Sequence, residues 1–168
     1  MGFKEIKPEQ LTDNPFKLIG ADWMLITAGV PGSFNTMTAS WGGLGVLWER
    51  KVCFCFIRPT RYTYEFMERS ERFTLSFFEE QYRKALQFCG SHTGRNTDKI
   101  KEAGLTPVVE GGAIHFAESR LALACRKLYS QDISPDRFLD PALDGMYPKR
   151  DYHRMYVGEI ETCLIKES

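Results

Sequence analysis

The chain carries no excess charge of either sign: 22 Lys and Arg stand against 22 Asp and Glu in 168 residues. That balance gives no electrostatic reason to expect nucleic acid or an anionic membrane as a partner, and neither is expected. No apolar run approaches the ~20 residues that span a bilayer. The charged opening Met1-Gly2-Phe3-Lys4-Glu5-Ile6-Lys7-Pro8 lacks the apolar stretch of a secretory signal, so a cytoplasmic address is the simplest expectation. Cysteines number five, an odd count. Cys53, Cys55, Cys89, Cys125 and Cys163 form neither a disulfide framework nor a Cys-x-x-Cys zinc pattern, and are expected as buried thiols. The three histidines are dispersed without a His-x-x-x-His pair, so no metal site is expected. There is no G-x-G-x-x-G and no regular alternation of strand and helix, which argues against a dinucleotide-binding Rossmann fold. A Ser-His-Asp triad, paired carboxylates and a nucleophilic cysteine motif are all lacking. So are linkers, internal repeats and low-complexity segments, and a single domain over residues 1–168 is expected.

What is present is a sequence built for packing. Aromatic residues make up 13% of the chain and include 12 Phe, which argues for a packed globule and against disorder. Residues 23–29 are apolar and β-leaning. Val52-Cys53-Phe54-Cys55-Phe56-Ile57 is apolar on both faces, as in a strand of a covered sheet or barrel. In Arg72-Phe73-Thr74-Leu75-Ser76-Phe77 the alternation puts Phe73, Leu75 and Phe77 on one face. Residues 63–69 read as a short helix capped by Thr60 or Thr63. Residues 79–88 read as a longer one closed by Gly90. A third spans 98–103, capped by Asn96 or Thr97 and closed by Gly104. Further strands are expected over 113–117, 120–129 and 155–165, with Gly158 as a bulge. Residues 132–150 read as a long connection of the kind that often carries specificity. Many short strands with a few small helices point to a closed or partly closed antiparallel barrel.

Three polar segments interrupt this apolar pattern. Asn35-Thr36-Met37-Thr38-Ala39-Ser40-Trp41 is rich in small hydroxylic residues between hydrophobic stretches. A strand of that composition leaves room beside its backbone for a flat polar ligand. Arg58-Pro59-Thr60-Arg61-Tyr62-Thr63-Tyr64-Glu65 follows after one strand. The third, Ser91-His92-Thr93-Gly94-Arg95-Asn96-Thr97-Asp98-Lys99, places hydroxyls and cations next to a helix start, a combination that favours an anion.

Together with Tyr152-His153-Arg154-Met155-Tyr156-Val157-Gly158-Glu159-Ile160, these segments resemble the flavin reductase family, the FMN-binding split-barrel proteins that include flavoredoxin. The resemblance runs from about residue 23 to the end, with Thr93 and Asn96 standing where the family more often has Ser and Asp. It implies a mainly β, Greek-key split β-barrel with a few short peripheral helices, forming a homodimer with non-covalent FMN near the subunit interface. It also implies that Asn35, Met37, Thr38, Ala39, Ser40 and Trp41 line the flavin. Arg58, Thr60 and Thr63 would meet its ribityl or phosphate side, while Thr93, Arg95 and Lys99 complete an anion pocket. His153 is implied as the catalytic side chain at the isoalloxazine or nicotinamide face. His92 and His115 lie outside strong motif contexts and are expected to be structural. A cofactor that carries its own redox chemistry needs little acid–base machinery from the protein, in keeping with the missing triads. The implied activity is transfer of electrons from NADH or NADPH through FMN to a flavin or redox-protein acceptor. The alternative is a flavoredoxin-like electron-transfer protein with little direct nicotinamide activity.

Overall fold

A computed structural model describes residues 2–167. The β-branched and aromatic runs form strands, as their preference for a half-buried pleated surface dictates. These are β1 (Phe3–Ile6), β2 (Met24–Val30), β3 (Ser33–Ala39), β4 (Gly42–Leu47), β5 (Arg50–Ile57), β6 (Arg72–Phe77), β7 (Pro107–Glu110), β8 (Ala113–Phe116), β9 (Leu121–Asp132) and β10 (Arg154–Lys166). One antiparallel sheet runs β3-β2-β6-β9-β10-β5-β4, with β1 added on β10, while β7 and β8 pair as a separate hairpin. The 13-residue β10 organises the sheet. β9 follows one of its edges, and the other edge passes from β5 (opposite residues 154–159) to β1 (opposite residues 163–166).

The register of β10 against β9 shifts at Val157/Gly158 and again at Ile160/Thr162. Such bulges increase local twist and let a sheet curl. Gly158, the bulge read from the sequence, also makes room for the core. A Cβ there would stand 2.6 Å from Phe73 Cζ and 3.0 Å from Cys125 Cβ. Inside the curl, Met24, Ile26, Phe73, Leu75, Phe77 and Leu123 are buried with Cys53, Cys55 and Cys125. All five cysteines are free and buried, as expected.

Three α-helices cover the barrel: α1 (Tyr62–Arg69), α2 (Arg83–Ser91) and α3 (Lys99–Glu102). α2 seals a second apolar cluster of Leu25, Phe78, Leu86, Cys89, Leu105 and Phe116. Its boundary differs from the sequence expectation. Gly90 lies inside the helix rather than closing it, and its missing side chain serves packing on β3, since a Cβ there would be 3.3 Å from Thr38 Cβ. The expected caps also move. Asp98 caps α3 by accepting a hydrogen bond from the Lys101 amide at 3.2 Å. Arg61 occupies the cap position of α1 with no side-chain cap, since Thr63 is buried and engaged elsewhere.

Candidate functional site

The C-terminal end of β3, the end of β5, the start of α1 and the start of β10 converge around two adjoining cavities of about 190 Å³ each. Arg61 belongs to the wall of both. The first cavity is framed by Met37, Thr38, Ala39, Ser40 and Trp41 on one side. Phe56, Arg58 and His153 stand on the other. The second is framed by Thr60, Tyr62 and Thr63 from the start of α1, by Gly90 to Thr93 from the end of α2, and by Lys99 from α3. The sequence segments thus meet in one trough, with no carboxylate among the described residues of either wall.

Several polar side chains of the first segment serve the fold. Thr36 is fully buried, pairing with the Thr27 hydroxyl at 2.9 Å. Thr38 donates to the Leu86 carbonyl, tying β3 to α2. Asn35 is buried behind the cavities, where its Nδ2 donates to Thr63 Oγ1 at 2.8 Å. Gly94 lies against it, since a Cβ at that residue would fall 2.1 Å from Asn35 Oδ1. Asn35 therefore fixes Thr63 and the neighbouring loop from behind. Ser40, Thr60 and Thr93 keep their hydroxyls at the cavity walls.

The cations sort themselves by partner. Arg58 is paired with Asp151 at 2.8 Å and donates to the Met146 carbonyl at 3.1 Å. Arg95 pairs with Glu65 and lies over the Tyr62 ring, outside both cavity walls. Arg61 and Lys99 have no ion-pair partner among the described residues. Lys99 is 4% exposed, and its ammonium donates to the Cys89 carbonyl at 3.2 Å. Burial pulls its pKa down to about 8, and the Arg61 charge acts in the same direction. Burial also lowers the pKa of Arg61. Two partly desolvated cations side by side, with no protein carboxylate to balance them, form a site that gains from an anion. The first amides of α1, left without a side-chain cap, add to that field.

At the other end, the His153 ring packs 5.1 Å from Trp41 and 6.4 Å from Phe56, centroid to centroid. Its Nδ1 is 2.8 Å from the Tyr147 hydroxyl. Burial, reinforced by Arg58, lowers its pKa to about 4, so the imidazole is neutral at physiological pH. His92 stacks on Phe88 at 3.9 Å and borders the second cavity. His115 is buried against Phe3, outside both cavities.

Arg61, Phe56 and Tyr147 were not singled out by sequence. Arg61 sat inside a quoted motif, but nothing in the sequence marked it as the arginine without a carboxylate. Among the described residues no cluster of His, Cys, Asp or Glu fit to hold a metal occurs, and no helix is long and apolar enough to cross a membrane.

An antiparallel barrel with a carboxylate-free, cation-bearing trough against aromatic side chains has the chemistry that suits a flat anionic molecule. Residues 17–168 match the flavin reductase like domain, and the chain belongs to that family. It is thereby placed among the flavin-binding oxidoreductases. No curated protein matches the sequence. Similar solved structures include flavoredoxin of Desulfovibrio vulgaris (Miyazaki F), with TM-score 0.69 and 21% identity over 98% of this chain and 78% of that one. An FMN-binding domain of a flavin reductases-like enzyme from Shewanella baltica gives TM-score 0.70 and 16% identity, covering 98% of this chain and 77% of that one. An NADH:FAD oxidoreductase from Streptomyces globisporus gives 0.66 and 16%, covering 86% and 75%. At such identities the likeness establishes the fold, the Greek-key split β-barrel with short peripheral helices that the motifs implied.

Proposed function

We propose that the trough holds FMN non-covalently and that the protein is an NAD(P)H-dependent, flavin reductase-like oxidoreductase, passing electrons to a flavin or a redox-protein acceptor. The observation that carries this reading is the unpaired Arg61–Lys99 pair in a carboxylate-free cavity that adjoins a second one walled by Trp41, Phe56 and His153. A phosphomonoester of nearly two negative charges matches those two cations. Bound flavin would supply the two-electron chemistry, leaving the protein to bind, orient and exclude water. Lys99 and Arg61, with Thr60 and Thr93, hold the phosphate side. Met37, Thr38, Ala39, Ser40 and Trp41 offer backbone and ring surface to the flat part of the ligand, and His153 faces the same space. Arg58, engaged with Asp151, shapes the rim, while Arg95, engaged with Glu65, stands outside the walls. The Shewanella neighbour is described as FMN-binding and the Streptomyces one as an NADH:FAD oxidoreductase, which supports the reading.

A homodimer belongs to the same proposal. The β4–β5 hairpin ends in an exposed Trp48 beside an exposed Tyr129, with ring centroids 6.0 Å apart and Val46 70% exposed. Such an apolar patch fits a second copy. Five buried cysteines without disulfide partners fit a cytoplasmic site of action.

The flavoredoxin neighbours favour a second reading, an electron carrier that reacts poorly with nicotinamide. Anaerobic mixing of the FMN-loaded protein with NADH, and separately with NADPH, separates the two. Bleaching of the flavin band within seconds by either donor supports a reductase. No bleaching by either overturns it in favour of a carrier.

A further inference from the structure

The connection between β9 and β10 does more than span the barrel end. Its short turn over Pro141–Met146 delivers Tyr147, which is 6% exposed, against the His153 ring at 5.5 Å between centroids. Tyr147 is held in turn by Arg58. The guanidinium lies over the Tyr147 ring at 4.6 Å, donates to the Met146 carbonyl at 3.1 Å, and is itself fixed by Asp151 at 2.8 Å. Tyr147 also donates its backbone amide to the Asp144 carbonyl at 3.0 Å. These contacts seat a phenol whose hydroxyl meets Nδ1 of His153 at 2.8 Å.

The direction of that hydrogen bond follows from donor and acceptor counting. A phenol has one proton to place, and a buried proton left unpaired is costly. Among the described residues, the only acceptor brought to the Tyr147 hydroxyl is Nδ1. Nδ1 of a neutral imidazole can accept only if the proton sits on Nε2. The charged groups facing the ring are Arg58 and Asp151, and Asp151 is occupied by Arg58, so a second ring proton is opposed. Nε2 itself has no hydrogen-bond partner among the described residues and is not sealed away, and the ring borders the first cavity.

We propose that Tyr147, seated by Arg58 and Asp151, is a positioning residue that locks His153 in its Nε2–H tautomer, so that the cavity is offered a hydrogen-bond donor and not an acceptor. A ligand atom that His153 meets is then an acceptor, such as a carbonyl oxygen or an unprotonated ring nitrogen. The proposal rests on the reading of this trough as a flavin site, yet its first test does not.

Nitrogen-15 spectra of the histidine side chains in the full-length protein report the tautomer directly, with His153→Gln assigning the signal. The expected result at pH 7 is a protonated Nε2 and an unprotonated Nδ1 in the wild type. In Tyr147→Phe, which keeps the ring packing, the tautomer ratio falls roughly tenfold, the equilibrium equivalent of one neutral hydrogen bond. A protonated Nδ1 in the wild type overturns the proposal, and so does an unchanged ratio in Tyr147→Phe. The wild-type spectrum decides even if the variant folds poorly. FMN titration of the same samples is the separate arm. The wild type should take up FMN saturably, a result that does not depend on the tautomer. Failure of the wild type to bind FMN sinks the flavin reading while leaving the tautomer result to stand or fall alone.

Discussion

Replacing Lys99 by Met should move stability and ligand binding in opposite directions, which a merely structural lysine would not do. Methionine keeps the length and apolar character of the stem and removes the charge. In the ligand-free protein the ammonium is buried without a carboxylate partner, and its pKa falls from the ordinary 10.5 to about 8. That fall is equivalent to at most about 3 kcal/mol, and screening through the adjoining cavity reduces it to about 1–2 kcal/mol. Lys99→Met should therefore raise the melting temperature of the ligand-free protein by about 3–6 °C. On the proposed reading the same substitution would remove a charge-assisted hydrogen bond to the phosphate, which should weaken FMN binding about 10- to 100-fold. The pH dependence has a definite sign. Bound anion favours the protonated amine, so wild-type affinity for FMN should fall as pH rises through about 8, and the Met variant should show no such fall. Differential scanning fluorimetry without ligand and quenching of flavin fluorescence between pH 7 and 10 measure both. A variant that is less stable and binds FMN within twofold of wild type would refute the assignment of Lys99 as an anion-holding cation.

Arg61→Ala should weaken FMN binding at least about tenfold, whereas Arg95→Ala, which breaks an exposed pair with Glu65, should change it less than about threefold; titration of the two variants side by side checks the ranking. Gly158→Ala should destabilise the fold by about 1–3 kcal/mol in urea unfolding, because the new methyl would meet the buried Phe73 ring. For His153 the folded pKa of about 4 lies below the ordinary 6.5, so the unfolded chain binds more protons in that window and stability must fall on acidification from 6.5 towards 4. The loss should be about 1–2 kcal/mol after allowance for solvent. His153→Asn should lose less over the same range, and parallel denaturant titrations at several pH values reveal the difference.

The strands were legible where side-chain period and face agreed. Arg72–Phe77 emerged with the bounds its alternation marks, and Gly158 was readable as a bulge because a glycine stands inside a long β-leaning segment. β4 was not legible. Three of its six residues are glycine, and its return turn uses Trp48 and Glu49 at positive φ rather than Asn-Gly. The pairing on β5 that forms this strand is a tertiary effect. In the site, composition showed which segments carry hydroxyls and cations but not which of those groups remain free. Thr36 and Thr38 are used by the fold. Arg58 finds its carboxylate 93 residues away, and Arg95 finds one 30 residues away. Only after those pairings are drawn does Arg61 stand out beside Lys99. Tyr147 lies in a connection with no periodic pattern, so its contact with His153 leaves no trace in the sequence.

The most direct measurement compares FMN with riboflavin as ligands of the purified protein, by calorimetric titration at pH 7. The two differ only by the phosphate that Arg61 and Lys99 are held to receive. Saturable binding of one FMN per chain, at least about tenfold tighter than riboflavin, is the predicted result. Equal affinity for the two, or no uptake of FMN, would contradict a phosphate site in this trough.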